Sequence, residues 1–514
     1  MLGFLTGGKV DHPMADAKQA REIINELPSD ALKALDEITQ LLESLRETSA
    51  YKVERLYENI DLLDSAAKSH QRKIAQDYFA TARQQKFQEN RLWTRSYMFS
   101  KELSDAYLEC VDRFESGQTG GLAFRKKLPV IVARALRALT LQLKWILVRY
   151  GPVAPQVWAD VGRVYQFGEA SGIADGKVEI YPGAHGSGSA RGEFLKALML
   201  GVSATDGLSP VRQELAERVI AHFSPGFRLR LQPGPGCGYC FDIVAGKPPF
   251  RVMGDKPMPP TARYFGAGEA LTELRKVESI IRETGAIPSS VDLGGRYDND
   301  TVLPVLRHLA IYWSDDVPAR TAARRQTATR MTVLHGMTEI MRMLDPDNSD
   351  ELDFSSPAAA GSVAESWIVE NASDGGYGAI IPAARGDWVR VGALIGLKTE
   401  TSQRWGAGII RRVARDQHQQ RRVGVQVLSN VAIPVRLRKS GNSVASGPTD
   451  SGLLLSATPN SRGEVGVVLR EGLYNSRDSL DMVVNNKHYL LMPSRLAEGG
   501  EDFDWAMFKV MARS

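Results

Sequence analysis

Residues 320–330 read RTAARRQTATR, and they mark the point where helical periodicity gives way to strand-like periodicity. After them come short segments rich in Val, Ile and Leu, separated by turn residues: 389–397, 408–414, 422–428, 433–437, 452–456, 465–469, 480–484 and 489–492. Strands at this spacing are typical of barrels and sandwiches. Because about 195 residues exceed what one small barrel needs, we divide the region near Ser429.

The chain before this point has a helical pattern. Leu32, Leu35, Ile38, Leu42 and Leu45 keep a spacing of three to four after Ser29, which can cap a helix. We expect a helical bundle at 14–150 and a helical domain at 151–313. Two segments with period-two alternation, 227–231 and 241–244, predict a β-hairpin inserted in the second domain.

Composition excludes several classes of protein. The net charge is only +4, so no global field commits the chain to nucleic acid or membrane. The start lacks the cationic and apolar regions of a secretory signal, and no uninterrupted apolar run of about eighteen residues predicts a spanning helix. We therefore expect a soluble cytoplasmic protein with no membrane span.

The sequence offers no catalytic or metal-binding motif. GxxxxGK[ST], HExxH and a GxSxG in a strand–helix context are all absent. Cys237 and Cys240 have redox-motif spacing, but a Pro/Gly turn precedes them and a strand-like run follows, whereas a thioredoxin-like site needs a helix N-terminus. We expect these cysteines to be structural, and we expect neither an enzyme, a metal site nor a cofactor.

Two motifs instead suggest a binding site. Four arginines, Arg320, Arg324, Arg325 and Arg330, fall within eleven residues, and 368–378 read IVENASDGGYG. Together these resemble the PilZ family, whose marks are RxxxR before a small barrel and [D/N]xSxxG on an early strand. Arg320 and Arg324 match the first mark, while Asn371, Ser373 and Gly376 match the second. A shifted arginine pair that uses Arg325 and Arg330 stays open.

The resemblance covers residues 318–430 and implies a PilZ-like six-stranded β-barrel whose ligand is cyclic-di-GMP. Later segments, 388–397, 405–413 and 422–428, follow the strand order of that family. Guanidinium groups suit this ligand because they donate in a fork to phosphate oxygens and to guanine O6 and N7, and stack on the base. The glycines at 375 and 376 allow the backbone to come close to a flat base.

The predicted fold is multidomain α+β: a helical N-terminal half, a PilZ-like barrel at 318–430 and a second small β domain at 431–514. The predicted function is a cyclic-di-GMP receptor or adaptor that couples nucleotide binding to domain rearrangement and partner control, in motility, attachment or polysaccharide output. The helical region is expected to contact a protein partner. The arginine segment, with no strong period and four like charges, is expected to be extended or mobile without ligand.

Two alternative functions remain. A degenerate PilZ-like barrel would serve as a scaffold without nucleotide. An RNA- or DNA-binding protein would use residues 401–440, which carry nine Arg or Lys against one acid. Only Trp405 lies near that stretch to stack on bases, so nucleic acid is the weaker expectation.

Overall fold

The computed structural model describes residues 11–81, 85–118, 120–183, 187–254, 257–316, 323–344, 364–382, 386, 388–440, 449–484 and 487–513. The chain forms two compact units, one of residues 1–205 with 210–318 and one of residues 206–209 with 319–514. Helices dominate the first unit and strands the second. The predicted multidomain α+β fold with a helical N-terminal half is confirmed.

The helices of the first unit bury apolar stripes against one another. Their bounds are α1 Ala17–Asn25, α2 Ala31–Glu47, α3 Val53–Ala80, α4 Lys86–Glu115, α5 Leu122–Arg125, α6 Leu128–Val148, α7 Pro155–Ala170, α8 Ala190–Val202, α9 Pro210–Phe223, α10 Ala270–Thr284 and α11 Asn299–Trp313. The cap of α2 is Asp30, which accepts from the Lys33 amide at 2.9 Å, so the predicted Ser29 cap is one residue too early. None of the helices in the described ranges has the length and apolar run that a bilayer crossing needs.

A small sheet lies within the first unit, where the sequence predicted a single hairpin. It has four strands, β1 Arg228–Arg230, β2 Tyr239–Asp242, β3 Phe250–Arg251 and β4 Ala262–Gly266, in the order β1-β4-β2-β3. The central strand β4 was missed because all five of its residues are buried. Burial on both faces removes the alternation by which a strand is recognised.

The second unit contains two closed barrels, and the first confirms the predicted six-stranded architecture. Its strands are β5 Arg325–His335, β6 Glu365–Ser373, β7 Gly376–Ile381, β8 Leu394–Thr399, β9 Gly406–Arg415 and β10 Arg421–Ser429. They close in the order β10-β7-β6-β5-β8-β9. The helix α12, Gly336–Leu344, directly follows β5.

The C-terminal β domain is a second barrel with the connectivity of the first. Its strands are β11 Ile433–Lys439, β12 Asp450–Leu454, β13 Glu464–Arg470, β14 Leu480–Val484, β15 Lys487–Gly499 and β16 Phe503–Arg513. In both barrels the first strand pairs with the second and fourth, and the sixth pairs with the third and fifth. The chain therefore repeats one barrel topology twice.

The two barrels share an apolar cluster, which α12 helps to fill. Ile340 of α12 is fully buried in a cluster that combines Leu394 and Ile409 of the first barrel with Leu453 and Phe503 of the second. At about 25 cal/mol per Å² of buried apolar surface, each fully buried Leu, Ile or Phe side chain stabilises the folded state by roughly 1.5–3 kcal/mol. The barrels are consequently packed as one body rather than joined by a free linker.

Candidate ligand-binding face

A β-bulge at Glu370 decides which way the motif side chains point. Trp367 and Val369 of β6 are buried at 0% and 1% exposure and face the barrel interior, as does Ala379, the partner of Val369 on β7. The next paired residue on β6 is Asn371, opposite Gly378, so Glu370 is unpaired. A bulge of one residue reverses the alternation of the strand. Asn371 and Ser373 therefore lie on the outer surface.

The strand β5 is bulged at the same level. Gln326 pairs with Asn371 and Thr329 pairs with Val369, so two residues of β5 stand opposite Glu370. We call the outer surface of β5, β6, β7 and β10 that carries Gln326, Asn371, Ser373, Gly376 and Gly378 the motif face. Both bulges keep these side chains on one side of the sheet.

The Asn371 side chain packs against the backbone of Gly378. A Cβ atom at Gly378 would stand 2.7 Å from Nδ2 and from Oδ1 of Asn371, so the amide lies directly on the glycine backbone. The Oδ1 atom is buried and accepts no hydrogen bond from any described residue. An acceptor left without a donor costs about 1–3 kcal/mol, which a ligand N–H can recover.

The glycine that ends the second motif, Gly376, has a steric reason. A Cβ atom there would lie 2.0 Å from the Val425 carbonyl oxygen of β10, so only glycine allows this strand to pair. Gly376 pairs with Ser373 across the two-residue turn and with Gln426 on its other side. The Ser373 hydroxyl donates to the Gly376 carbonyl at 3.3 Å, which leaves its lone pairs for a ligand.

The structure distinguishes three of the four candidate arginines. Arg324 directly precedes β5, and because Arg325 pairs with Ala372, extending the register by one residue would set Arg324 opposite Ser373, on the motif face. Arg325 alternates to the other side. Arg330 pairs with Ile368 and is exposed on the outer surface, about 10 Å along β6 from Asn371 at 3.3 Å per residue. Arg320 lies outside the described residues.

The described part of the arginine segment that follows Arg324 is a strand. From Arg325 to His335 it forms β5, paired with β6 and β8, so it is extended over that length. Four like charges did not prevent the strand because the side chains of Arg324 and Arg325 point to opposite faces and stand in solvent.

Ion pairs anchor the bulge and the strand beside it. Arg422 of β10 donates to both carboxylate oxygens of Glu370, at 3.1 and 2.9 Å, and reaches Asp416 at 3.4 Å. Desolvation raises the pKa of the Asp416 carboxyl, but the Gln420 and His418 amides and Arg422 outweigh it and lower the pKa. The 401–440 stretch forms the hairpin β9–β10, and its Arg411 and Arg422 are paired with carboxylates.

An aromatic stack closes the end of the barrel interior away from the motif. The His335 ring lies 4.5 Å from that of Trp388, which stacks on Trp367 at 5.7 Å, and Glu365 accepts from both indoles at 3.0 Å. Burial lowers the pKa of His335, against the opposing effect of Asp502. This histidine is therefore neutral at pH 7.

The two cysteines of the first unit have a structural environment. Cys237 and Cys240 are buried, free and packed with Ala262 and Tyr264. Burial raises the pKa of Cys237 and raises that of Cys240 to about 11, which is the opposite of what a reactive thiolate requires. Among the described residues, no cluster of three His, Cys, Asp or Glu could hold a metal ion.

Sequence reasoning missed two residues of the motif face. Gly378 lies just outside the motif, and its role depends on the bulge that sets it beneath Asn371. Gln426 is about fifty residues downstream and joins the face only because β10 pairs with β7. The alternating pattern of β10 could have indicated that Gln426 points outward, but not that it lies beside Gly376.

Two family models match parts of the chain. A family model described as "Cyclic-di-GMP receptor FimW, N-terminal domain" matches residues 18–234, and one described as "Cyclic-di-GMP receptor FimW, middle PilZ domain" matches residues 347–434. Together they cover more than half of the 514 residues. The second match includes Asn371, Ser373 and Gly376, and the resemblance inferred from the motifs is confirmed. No curated protein sequence matches the chain.

Proposed function

The chain belongs to the PilZ-domain family of cyclic-di-GMP receptors, and on this premise we propose that it binds cyclic-di-GMP on the motif face. The observation that carries the proposal is the bulge at Glu370, which turns both Asn371 and Ser373 outward. Without the bulge these polar side chains would alternate into the barrel interior, where Trp367 and Val369 lie.

The chemistry of the face suits the ligand. The Asn371 amide, whose buried Oδ1 has no partner among the described residues, can turn toward the ligand and accept from the N1–H or N2 amine of guanine. Arg324 and Arg330 are exposed and can donate in a fork to phosphate oxygens or to guanine O6 and N7. Between these polar groups the sheet carries Gly376, which has no side chain, so that a flat base can approach the backbone there.

The choice among the arginines follows from the register. Arg324, one residue before the pair Arg325–Ala372, shares the face of Ser373, whereas Arg325 faces away. We assign ligand binding to Arg324 and Arg330, with Arg320 as the partner of Arg324 in RxxxR. This assignment favours the unshifted arginine pair over the pair of Arg325 and Arg330.

The proposal extends to signalling. A ligand with two phosphates neutralises the arginines at the start of the first barrel, and a state that binds it more tightly is populated at the expense of others. We infer that this change alters how the chain engages a protein partner through its helical region, in the control of motility, attachment or polysaccharide output.

Calorimetric titration of the full chain tests the function against its alternatives. The ligands are cyclic-di-GMP, GTP, cyclic-di-AMP and a short single-stranded RNA, at fixed ionic strength. Saturable heat with cyclic-di-GMP at the lowest concentration supports the receptor. Heat with none of the four identifies a scaffold that does not bind nucleotide, and RNA as the tightest ligand identifies a nucleic-acid-binding protein.

A further inference from the structure

The motif face continues across β7 onto β10, and its far border is Gln426. This residue pairs with Gly376, which in turn pairs with Ser373. Paired residues of neighbouring strands point to the same side of a sheet, so Gln426 lies on the motif face. Ser373 and Gln426 are two strand spacings apart, roughly 10 Å, with no side chain at Gly376 between them.

Chemistry fixes the orientation of the Gln426 amide. Its Oε1 accepts from Nε of Arg411 at 2.7 Å. A guanidinium group has donors only, so the amide must turn its oxygen toward Arg411 and its NH₂ group away. That NH₂ group donates a hydrogen bond to none of the described residues, although the side chain is half-buried.

The second barrel holds Arg411 in place. Arg411 is the bulged residue of β9, since Val425 pairs with Ile410 and Gly424 with Arg412. Its two terminal nitrogens each donate to Glu498 of β15 at 2.6 Å, in the forked geometry that is the strongest for this pair. Through Arg411, the Glu498 carboxylate of the C-terminal barrel thus orients the Gln426 amide on the motif face of the first barrel.

We propose that Gln426 is a further ligand-binding residue, whose NH₂ group recognises the acceptor edge of guanine, and that Arg411 and Glu498 are its positioning residues. Guanine presents O6 and N7, two acceptors, along that edge, whereas adenine presents N7 and a donor at N6. An amide held with its NH₂ group outward therefore favours guanine. The inference rests on the proposed function and assigns the C-terminal barrel a role in it.

Affinity and base selectivity together test this role. The Gln426→Leu variant of the full chain is titrated with cyclic-di-GMP and with cyclic-di-AMP. We expect cyclic-di-GMP to bind about 5- to 20-fold more weakly, the effect of one lost hydrogen bond, while cyclic-di-AMP changes by less than about twofold. The same substitution at exposed Gln417, in the β9–β10 turn, is the matched control and leaves both affinities unchanged.

A double-mutant cycle tests the positioning residues. Glu498→Gln alone lowers cyclic-di-GMP affinity about three- to fivefold, but adds nothing in the Gln426→Leu background, because both substitutions act through one amide. Glu471→Gln, an exposed acid of the second barrel, is the charge-matched control. Additive losses would show that Glu498 acts through general stability and would overturn its positioning role.

The outcomes separate the two levels of the proposal. If the wild-type chain binds cyclic-di-GMP and Gln426→Leu binds both dinucleotides as the wild type does, Gln426 is not a ligand residue and the proposed function stands. If the wild-type chain does not bind cyclic-di-GMP, the proposed function and this inference both fail.

Discussion

Replacing Gly378 with alanine should weaken cyclic-di-GMP binding although Gly378 lies outside the motif. The new Cβ atom would lie 2.7 Å from Nδ2 and Oδ1 of Asn371, and 2.9 Å from its Cγ. Contacts below 3.0 Å force a shift, and the end of the Asn371 side chain is what can move. A displaced amide loses its hydrogen bond to the ligand, which costs about 1–3 kcal/mol, or about 5- to 150-fold in Kd.

Folding should not suffer in this variant. Within a strand, glycine lowers the free energy of unfolding by about 0.5–1 kcal/mol relative to alanine. We therefore expect the Tm of Gly378→Ala to equal or exceed that of the wild type. The assay is calorimetric titration, with Tm measured on the same samples. Gly192→Ala, in α8 of the first unit, is the control, because a Cβ atom at Gly192 makes only an ordinary contact, 3.5 Å from Oγ of Ser189.

Three results would refute this reasoning. They are wild-type affinity in Gly378→Ala, an equal loss in Gly192→Ala, and a loss that adds fully to that of Asn371→Ala. The last would show that the two residues act independently, since substitutions that remove the same interaction are not additive.

Three further predictions concern the arginines, one histidine and the cysteines. Arg324→Ala should weaken cyclic-di-GMP binding about 10- to 100-fold through a lost charge-assisted hydrogen bond. Arg325→Ala should stay within about threefold, because its side chain points away from the motif face and its charge is screened from the ligand by solvent. Equal losses in calorimetry would instead support the shifted pair of Arg325 and Arg330. Since the pKa of His335 is lowered in the folded chain, the unfolded chain takes up a proton near pH 6.5 while the folded chain does not, so stability should fall as pH drops below about 6.5. Melting curves at pH 7.5 and 5.5 should therefore show a smaller stability advantage of wild type over His335→Gln at the lower pH, and a constant difference would contradict the assignment. A double Cys237→Ser, Cys240→Ser variant should retain cyclic-di-GMP affinity in the same titration, and loss of bound metal or of a reductase activity would show that the cysteines have a chemical role.

Local patterns carried much of the fold. The period of Leu32, Leu35 and Ile38 predicts α2, and the Val- and Ile-rich segments predict most strands of the two barrels. The strand β5 was less visible because its first half, Arg325 to Arg330, is polar on both faces at the rim of the barrel. The long strand β16 was missed, since Phe503–Arg513 lacks the turn-bounded apolar run by which the others were found.

The candidate site was predictable only in its residue types. The motif letters identified Asn371, Ser373 and Gly376, but the bulge at Glu370 that turns two of them outward depends on pairing with both neighbouring strands. The reason for glycine at 376 is a carbonyl oxygen on β10, fifty residues away in the chain. Long-range register is not encoded in any local window, and for this reason Gly378 and Gln426 stayed hidden.

Hydrogen exchange with and without cyclic-di-GMP tests most directly whether the ligand lies on the motif face. With ligand, amides of residues 371–378 and 424–427 and those around Arg324 should exchange more slowly. The exchange rates of amides in α12 and in the helices of the first unit should change little. Tight binding with unchanged exchange in 371–378, or with protection confined to other strands, would contradict the account.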